Sequence, residues 1–179
     1  MTATPTTATL DTSVMQEFWR DQNRAEAVRQ LLCISGRGEI DLVVTTRISA
    51  DVPRPPLAER INELPDLGVE TIGSSFRVGV SRVGGKDMIV GPRAEELASF
   101  IEEQAQKLGL GKRRPDWRDA DHLYGHMVAR RDVFLTWDRG ILDLAEALHE
   151  RFGLTVMQPE AFVASTHDSR RSMLLPTLE

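Results

Sequence analysis

An α/β fold on a mostly parallel sheet is what this sequence predicts, and three observations predict it. Runs of strand length alternate with stretches of helical periodicity along the whole chain. The central run "EIDLVVTTRI" is apolar in its middle, as a strand covered on both faces must be. Acidic residues recur where strands hand over to helices, and in parallel sheets the carboxyl ends of the strands are where sites form.

The elements follow in order. After a Thr-rich start, "TATLDTSV" has the β-branched content of a first strand reaching Asp11. Val14, Phe18, Ala25, Val28, Leu31 and Leu32 fall near one helical face and predict a single helix from Val14 to Ser35, stopped by Gly36 and Gly38. Cys33 lies in that helix and is expected to be buried, as free cysteines usually are. The second strand is "EIDLVVTTRI". Pro53, Pro55 and Pro56 forbid a long helix immediately after it, so a short one is expected from Leu57 to Leu64. "TIGSSFRVGVSRVGGKDMIVG" alternates around Gly84-Gly85 and predicts a hairpin-like insertion over 72–90. A helix from Pro92 to Leu108 carries Leu97, Phe100, Ile101 and Leu108 as its apolar stripe. The basic linker "GLGKRRPD" leads into the helix "WRDADHLYGHMVARR" and the strand "DVFLTWD". "ILDLAEALHERFG" is an amphipathic helix ended by Gly153, and "LTVMQP" is a last short strand before "EAFVAS". One domain over 1–165 is expected, with 166–179 a tail that no pattern assigns.

A net charge of −5 argues against binding polyanions by bulk charge, but metal ions and local basic patches can still meet phosphates. The basic residues are nearly all Arg, the side chain suited to bidentate phosphate contacts, although an Arg-favouring genome accounts for that equally well. A single cysteine allows no intramolecular disulfide and fits a reducing cytosol. The N-terminus lacks a basic region followed by an apolar core, and no stretch is long enough to span a membrane, so a soluble cytoplasmic protein with no membrane partner is expected.

The chemistry lies in the acids. Asp11 ends the first strand, Asp138 ends "VFLTWD", and Asp119 begins the helix feeding that strand. If the two strands are parallel neighbours, Asp11 and Asp138 emerge at one edge, and a right-handed crossover brings Asp119 near them. Converged carboxylates repel one another and raise their own pKa values, and a divalent cation removes that penalty. Hard oxygen ligands suit Mg²⁺ or Mn²⁺. A structural reading stands beside this one. Asp116 and Asp119 have capping-box spacing, Asp138 before Arg139-Gly140 fits a turn or N-cap, and Asp11 before Thr12-Ser13 fits an N-cap.

"LDTSV" near the N-terminus, with "DADHL" and "VFLTWDRGI" near the C-terminus, resembles the PIN domain, a family of ribonucleases that includes the VapC-type toxins. "LTVMQPEAFV" is similar to that family's closing strand and its sequel. The resemblance implies a three-layer α/β/α sandwich and metal-dependent cleavage of phosphodiesters, most of all in RNA. It implies that Asp11, Asp119 and Asp138 hold Mg²⁺ or Mn²⁺, supported through hydrogen bonds by Thr12, Ser13 and Thr136. The family's glutamate after the second strand is missing. Ser49 stands where it would fit, and Asp51 is the substitute for a fourth catalytic acid. The long segment after it also departs from the compact toxins. By the same analogy the chain forms a homodimer, and as a toxin it would meet an antitoxin partner.

Other groups are weaker signals. His122 and His126 have a zinc-ligand spacing but lack further ligands, so a pair on the helix surface is expected. Asp121 would point away from Asp119. Lys112, Arg113 and Arg114 with Arg130 and Arg131, and Arg77 with Arg82, are candidates for guiding nucleic acid toward the acids. No phosphate loop and no serine nucleophile motif is present. The resulting expectation is a metal-dependent ribonuclease. Its rival is a PIN-like domain that has lost cleavage and serves as a nucleic-acid or protein interaction module.

Overall fold

A five-stranded sheet in the order β3-β2-β1-β6-β7, parallel throughout, organises the computed structural model. The structure describes residues 4–20, 24–52, 55–76, 88–89 and 91–174. The strands are β1 (Thr6–Leu10), β2 (Ile40–Thr45), β3 (Glu70–Ile72), β6 (Val133–Leu135) and β7 (Val156–Met157). The helices are α1 (Thr12–Trp19), α2 (Ala25–Gly36), α3 (Ile48–Asp51), α4 (Pro92–Lys107), α5 (Trp117–Val128), α6 (Arg139–Asp143), α7 (Ala145–Phe152) and α8 (Pro159–Leu174).

Period-two alternation along the strands divides the interior in two. Val133 and Leu135 join Ala8, Leu10, Leu42 and Val44 against α1, α2 and α8, through Val14, Val28, Leu31 and Phe162. Phe134 points the other way, with Val156, and packs against α4, α5 and α7 through Leu97, Leu123 and Leu148. Helices therefore cover both faces of the sheet, which makes the three-layer sandwich and explains the uninterrupted apolar run in β2.

Several expectations are corrected. The helix over 14–35 is two helices, broken between Trp19 and Ala25. A straight helix of that length would run about 33 Å, while the five residues of β1 cover only about 17 Å. The break lets α2 fold back onto α1 and the sheet. The helix expected over 57–64 is a short 3-10 turn, Glu59–Glu63, and the helix after Asp138 breaks at Leu144 into α6 and α7. Cys33 is exposed, because it stands two residues, or about 200°, from the buried Leu31. The residues flanking 77–87, β4 (Ser75–Phe76) and β5 (Met88–Ile89), pair in parallel, whereas the arms of a hairpin run antiparallel. The Gly84-Gly85 turn, Arg77 and Arg82 lie outside the described residues. Helix α8 continues past residue 166 to Leu174 and packs on α2. Among the described residues no helix is long and apolar enough to cross a membrane.

Candidate functional site

Strand register decides where the acids meet. Leu10 pairs with Val44 on one side and with Leu135 on the other, so the next residue of each strand, Asp11, Thr45 and Thr136, reaches the same carboxyl edge. The Asp11 amide donates to the Leu135 carbonyl at 2.9 Å and closes the ladder there. Past this point β1 turns into α1 and β6 into α6, and α5 arrives with its N-terminus at the same edge. A cavity of about 280 Å³ opens there, lined by Asp11, Asp51, Asp116, Asp119 and Asp138, with Gln16 and Arg118.

Each of the three junction acids commits one oxygen to the protein. Oδ2 of Asp11 accepts from Ser13 Oγ at 2.6 Å and from Thr136 Oγ1 at 2.8 Å. Oδ2 of Asp119 accepts from the Asp116 amide at 2.7 Å, half of a capping box whose other half is the Asp116 side chain. Oδ1 of Asp138 accepts from the Ile141 amide at 3.0 Å and caps α6. Capping thus takes one oxygen of Asp119 and one of Asp138, whereas Asp11 stands at the N-cap of α1 without a side-chain capping hydrogen bond and meets hydroxyls instead. The other oxygens of these carboxylates have no hydrogen-bond partner among the described residues.

Electrostatics mark the crowding. Burial, followed by the charges of Asp11, Asp116 and Asp138, pushes the Asp119 carboxyl up to about 7, although the Asp116 amide pulls the other way. Among the described residues no group of three or more His, Cys, Asp or Glu side chains is placed to hold a metal ion. The free donors are carboxylate oxygens spread around an open cavity, which suits a cation that keeps several waters better than one that needs a closed cage.

Asp51 lines the same cavity but is already occupied. Its Oδ1 accepts from Arg47 Nε at 3.2 Å, and its Oδ2 accepts from His122 Nε2 at 2.7 Å and from Thr12 Oγ1 at 3.3 Å. Burial alone would raise the Asp51 pKa, but the hydrogen bond and charge of His122, then Arg47, outweigh it and hold the carboxyl below its ordinary value. Burial alone would lower His122, but Asp51, with the charges of Asp11 and Asp119, raises it above the ordinary histidine value. Its Nδ1 bonds Thr45 Oγ1 at 2.6 Å. Arg47 itself is buried, lies 3.8 Å from Asp121, and stacks on the Trp117 ring at 4.4 Å. Thr12 therefore serves Asp51, while Ser13 and Thr136 serve Asp11. Ser49 is exposed.

The histidines are not on the surface. His122 and His126 are both buried, His126 with Nδ1 bonded to Thr9 Oγ1 at 2.9 Å and its ring edge-on to Phe134. Nearly the whole middle of α5 is enclosed, so its far face has no solvent to meet. His122, Arg47, Arg118 and Asp116 are the site residues that the sequence reading missed. A local signal existed for two of them: His122 follows Asp119 by three residues and Arg47 precedes Asp51 by four, spacings that share a helical face.

The basic candidates divide. Arg113 pairs with Asp143 at 2.7 Å and Arg114 with Glu102 at 2.6 Å, both at exposed positions near α5. Lys112 is exposed. Arg131 binds Asp41 and the Ala8 carbonyl, and with Arg130 it precedes β6, so this pair stands at the opposite, amino edge of the sheet, away from the cavity.

The fold and the site define an α/β/α protein with an acidic cavity at the carboxyl edge of its parallel sheet. No family model matches the sequence, and no curated protein matches it. Among solved structures, the crystal structure of VapBC2 from Rickettsia felis bound to a DNA fragment from their promoter is similar at 9% identity and a TM-score of 0.40, over 85% of this chain and 98% of that chain. At that distance the chemistry has to be read from the residues themselves.

Proposed function

We propose that this chain is a PIN-like, Mg²⁺- or Mn²⁺-dependent nuclease that hydrolyses phosphodiester bonds in RNA. The observation that carries the reading is the convergence of Asp11, Asp119 and Asp138, from three separate elements, on one cavity with an oxygen of each left for a ligand. A carboxyl held near pH 7 by burial and its neighbours' charges is a group that gives up its proton readily when a cation arrives. The bound ion would supply positive charge against the phosphate and acidify the attacking water. The protein's part is to fix the acids. Ser13 and Thr136 orient Asp11, the Asp116 amide orients Asp119, and the first turn of α6 orients Asp138. Arg118, exposed at the cavity wall, is placed to meet a phosphate oxygen. The lone Cys33 fits action in the reducing cytoplasm. A homodimer, and an antitoxin partner if the chain is a toxin, belong to the same reading.

Asp51 favours a second reading. Arg47, His122 and Thr12 fill its oxygens, so the fourth acid is neutralised within the protein rather than offered to a cation. A domain that binds nucleic acid or protein without cutting would tolerate this.

Cleavage of labelled single-stranded RNA by the purified chain, with Mn²⁺, with EDTA and with Asp138→Asn, separates the two. Cutting that requires both metal and Asp138 supports the nuclease. Folded protein that binds RNA yet leaves it intact in Mg²⁺ and Mn²⁺ brings the interaction module forward.

A further inference from the structure

A polar triangle beside the acidic cavity has no part yet in the proposed chemistry. His122 follows Asp119 by three residues on α5, and its side chain is 2% exposed. Its Nδ1 meets Thr45 Oγ1 at 2.6 Å, at the carboxyl edge of β2. Its Nε2 donates to Asp51 Oδ2 at 2.7 Å, at the end of α3. Thr12 Oγ1, at the start of α1, lies 3.2 Å from that nitrogen and 3.3 Å from that oxygen and closes the triangle. One imidazole therefore joins β2, α3 and α1 to the helix that carries Asp119. An apolar side chain would pack there without the cost of burying two nitrogens, and that cost is offset here only because both nitrogens are bonded.

Asp51, unlike His122, reaches the cavity. It lines the wall together with Thr12, and its side chain is 14% exposed. His122 and Thr12 take its Oδ2, whereas Oδ1 has one donor among the described residues, Arg47 Nε at 3.2 Å, for two lone pairs. Burial alone would raise this carboxyl, but His122 and Arg47 outweigh burial and keep it ionised at neutral pH. A carboxylate held in this way is a poor cation ligand and a poor base, yet it still accepts a hydrogen bond.

We infer that His122 is a positioning residue for the proposed hydrolysis: reaching across from α5, it holds Asp51 in the cavity wall as the acceptor that orients the attacking water. This rests on the nuclease reading. In that hydrolysis the water oxygen bonds to phosphorus, and the ester P–O bond breaks with its electron pair on the leaving oxygen. The attacking water's proton, aimed at Asp51, passes to bulk water, and bulk water protonates the leaving oxygen. His122 itself touches neither reactant.

Three substitutions separate its two bonds. The amide nitrogen of His122→Gln can replace Nε2 and keep the bond to Asp51, His122→Asn can keep only the bond to Thr45, and His122→Leu keeps neither. Cleavage of single-stranded RNA by the full chain is measured in Mn²⁺, on protein whose folding is checked by urea unfolding. His122→Asn and His122→Leu should lose about 10- to 100-fold in kcat with KM within about threefold of wild type, and His122→Gln should keep most of the rate. Asp51→Asn should match the loss of His122→Leu, and the double variant should lose no more than either single one. If His122→Leu fails to fold, the contrast between Asn and Gln carries the test. A readout apart from activity is the proton spectrum of the free protein, where an imidazole N–H bonded to a buried carboxylate gives a far-downfield, exchange-protected resonance. It should vanish in His122→Leu and in Asp51→Asn. Equal kcat in the Asn and Gln variants of a cleaving protein overturns the inference and leaves the nuclease standing, as do additive losses in the double variant or absence of the downfield resonance. A wild type that leaves RNA intact removes the nuclease, and the role of His122 falls with it.

Discussion

Asp119→Asn should make the protein more stable at pH 8 while abolishing its proposed chemistry. The Asp119 carboxyl titrates at about 7 instead of 3.8, so its charged form is disfavoured in the fold. The sign follows from linkage. A carboxyl whose folded pKa is raised binds its proton more tightly when folded, so the fold is favoured below the unfolded pKa, and that advantage is lost as pH rises through the folded value. Above pH 7 the full penalty of an ionised Asp119 is therefore present. Three pH units correspond to about 4 kcal/mol. Water in the open cavity screens the charge, and about 2 kcal/mol is the figure we expect to recover. Asn keeps an oxygen for the Asp116 amide, so the capping box survives the change. Urea unfolding in EDTA reads the difference: the midpoint of Asp119→Asn should exceed the wild-type midpoint by about 1 M at pH 8, for a slope of about 2 kcal/mol per molar. The two midpoints should converge below pH 4. Added Mg²⁺ should raise the wild-type midpoint and narrow the gap, because a ligand that binds only the native state stabilises it by mass action. A variant no more stable than wild type at pH 8 would refute the reasoning, since the crowding of acids would then carry no energetic weight. A stabilising change that costs function is the signature of a site held together against its own charges.

Further expectations concern other parts of the molecule. His126 is fully buried and lowered to about 4, by burial first and then by Arg131, so its contribution to stability is complete above pH 6.5 and is lost as pH falls toward 4. His126→Asn, which can keep the bond to Thr9, should flatten the acid limb of the stability curve by up to about 3 kcal/mol in equilibrium unfolding across that window. Gly140→Ala would drive a methyl group into the Arg113 carbonyl oxygen and against Asp138, and should lower the melting temperature by about 5 °C. Gly36→Ala, at the end of α2 with nothing within 4 Å, is its neutral control. Mg²⁺ binding at pH 7 should release about half a proton from Asp119, seen as buffer-dependent heat in calorimetry and absent in Asp119→Asn.

Local pattern carried much of this protein. Strand and helix alternation, the Pro-started helix α4 and the Gly153 stop all follow from spacing within single elements, and the structure contains each of them. So does the placement of acids at strand-to-helix junctions, because a residue that ends a parallel strand must emerge at the carboxyl edge wherever its neighbours lie. The hydrogen bonds of Ser13 and Thr136 to Asp11 are expected from the family resemblance and not from spacing. What only the tertiary structure decided are the long-range partners. That Asp51 is neutralised by His122, seventy-one residues away, depends on β2 and α5 meeting at one edge. That Arg131 serves the opposite edge depends on β1 lying between β2 and β6. Burial of His126 and exposure of Cys33 depend on which helix face turns inward, and the break before α2 depends on a sheet too short for a longer helix. Sequence spacing reports the one-dimensional period of an element. Whether a charge is paired, buried or left facing a cavity is set by the order in which the strands assemble, and that order is a property of the whole core.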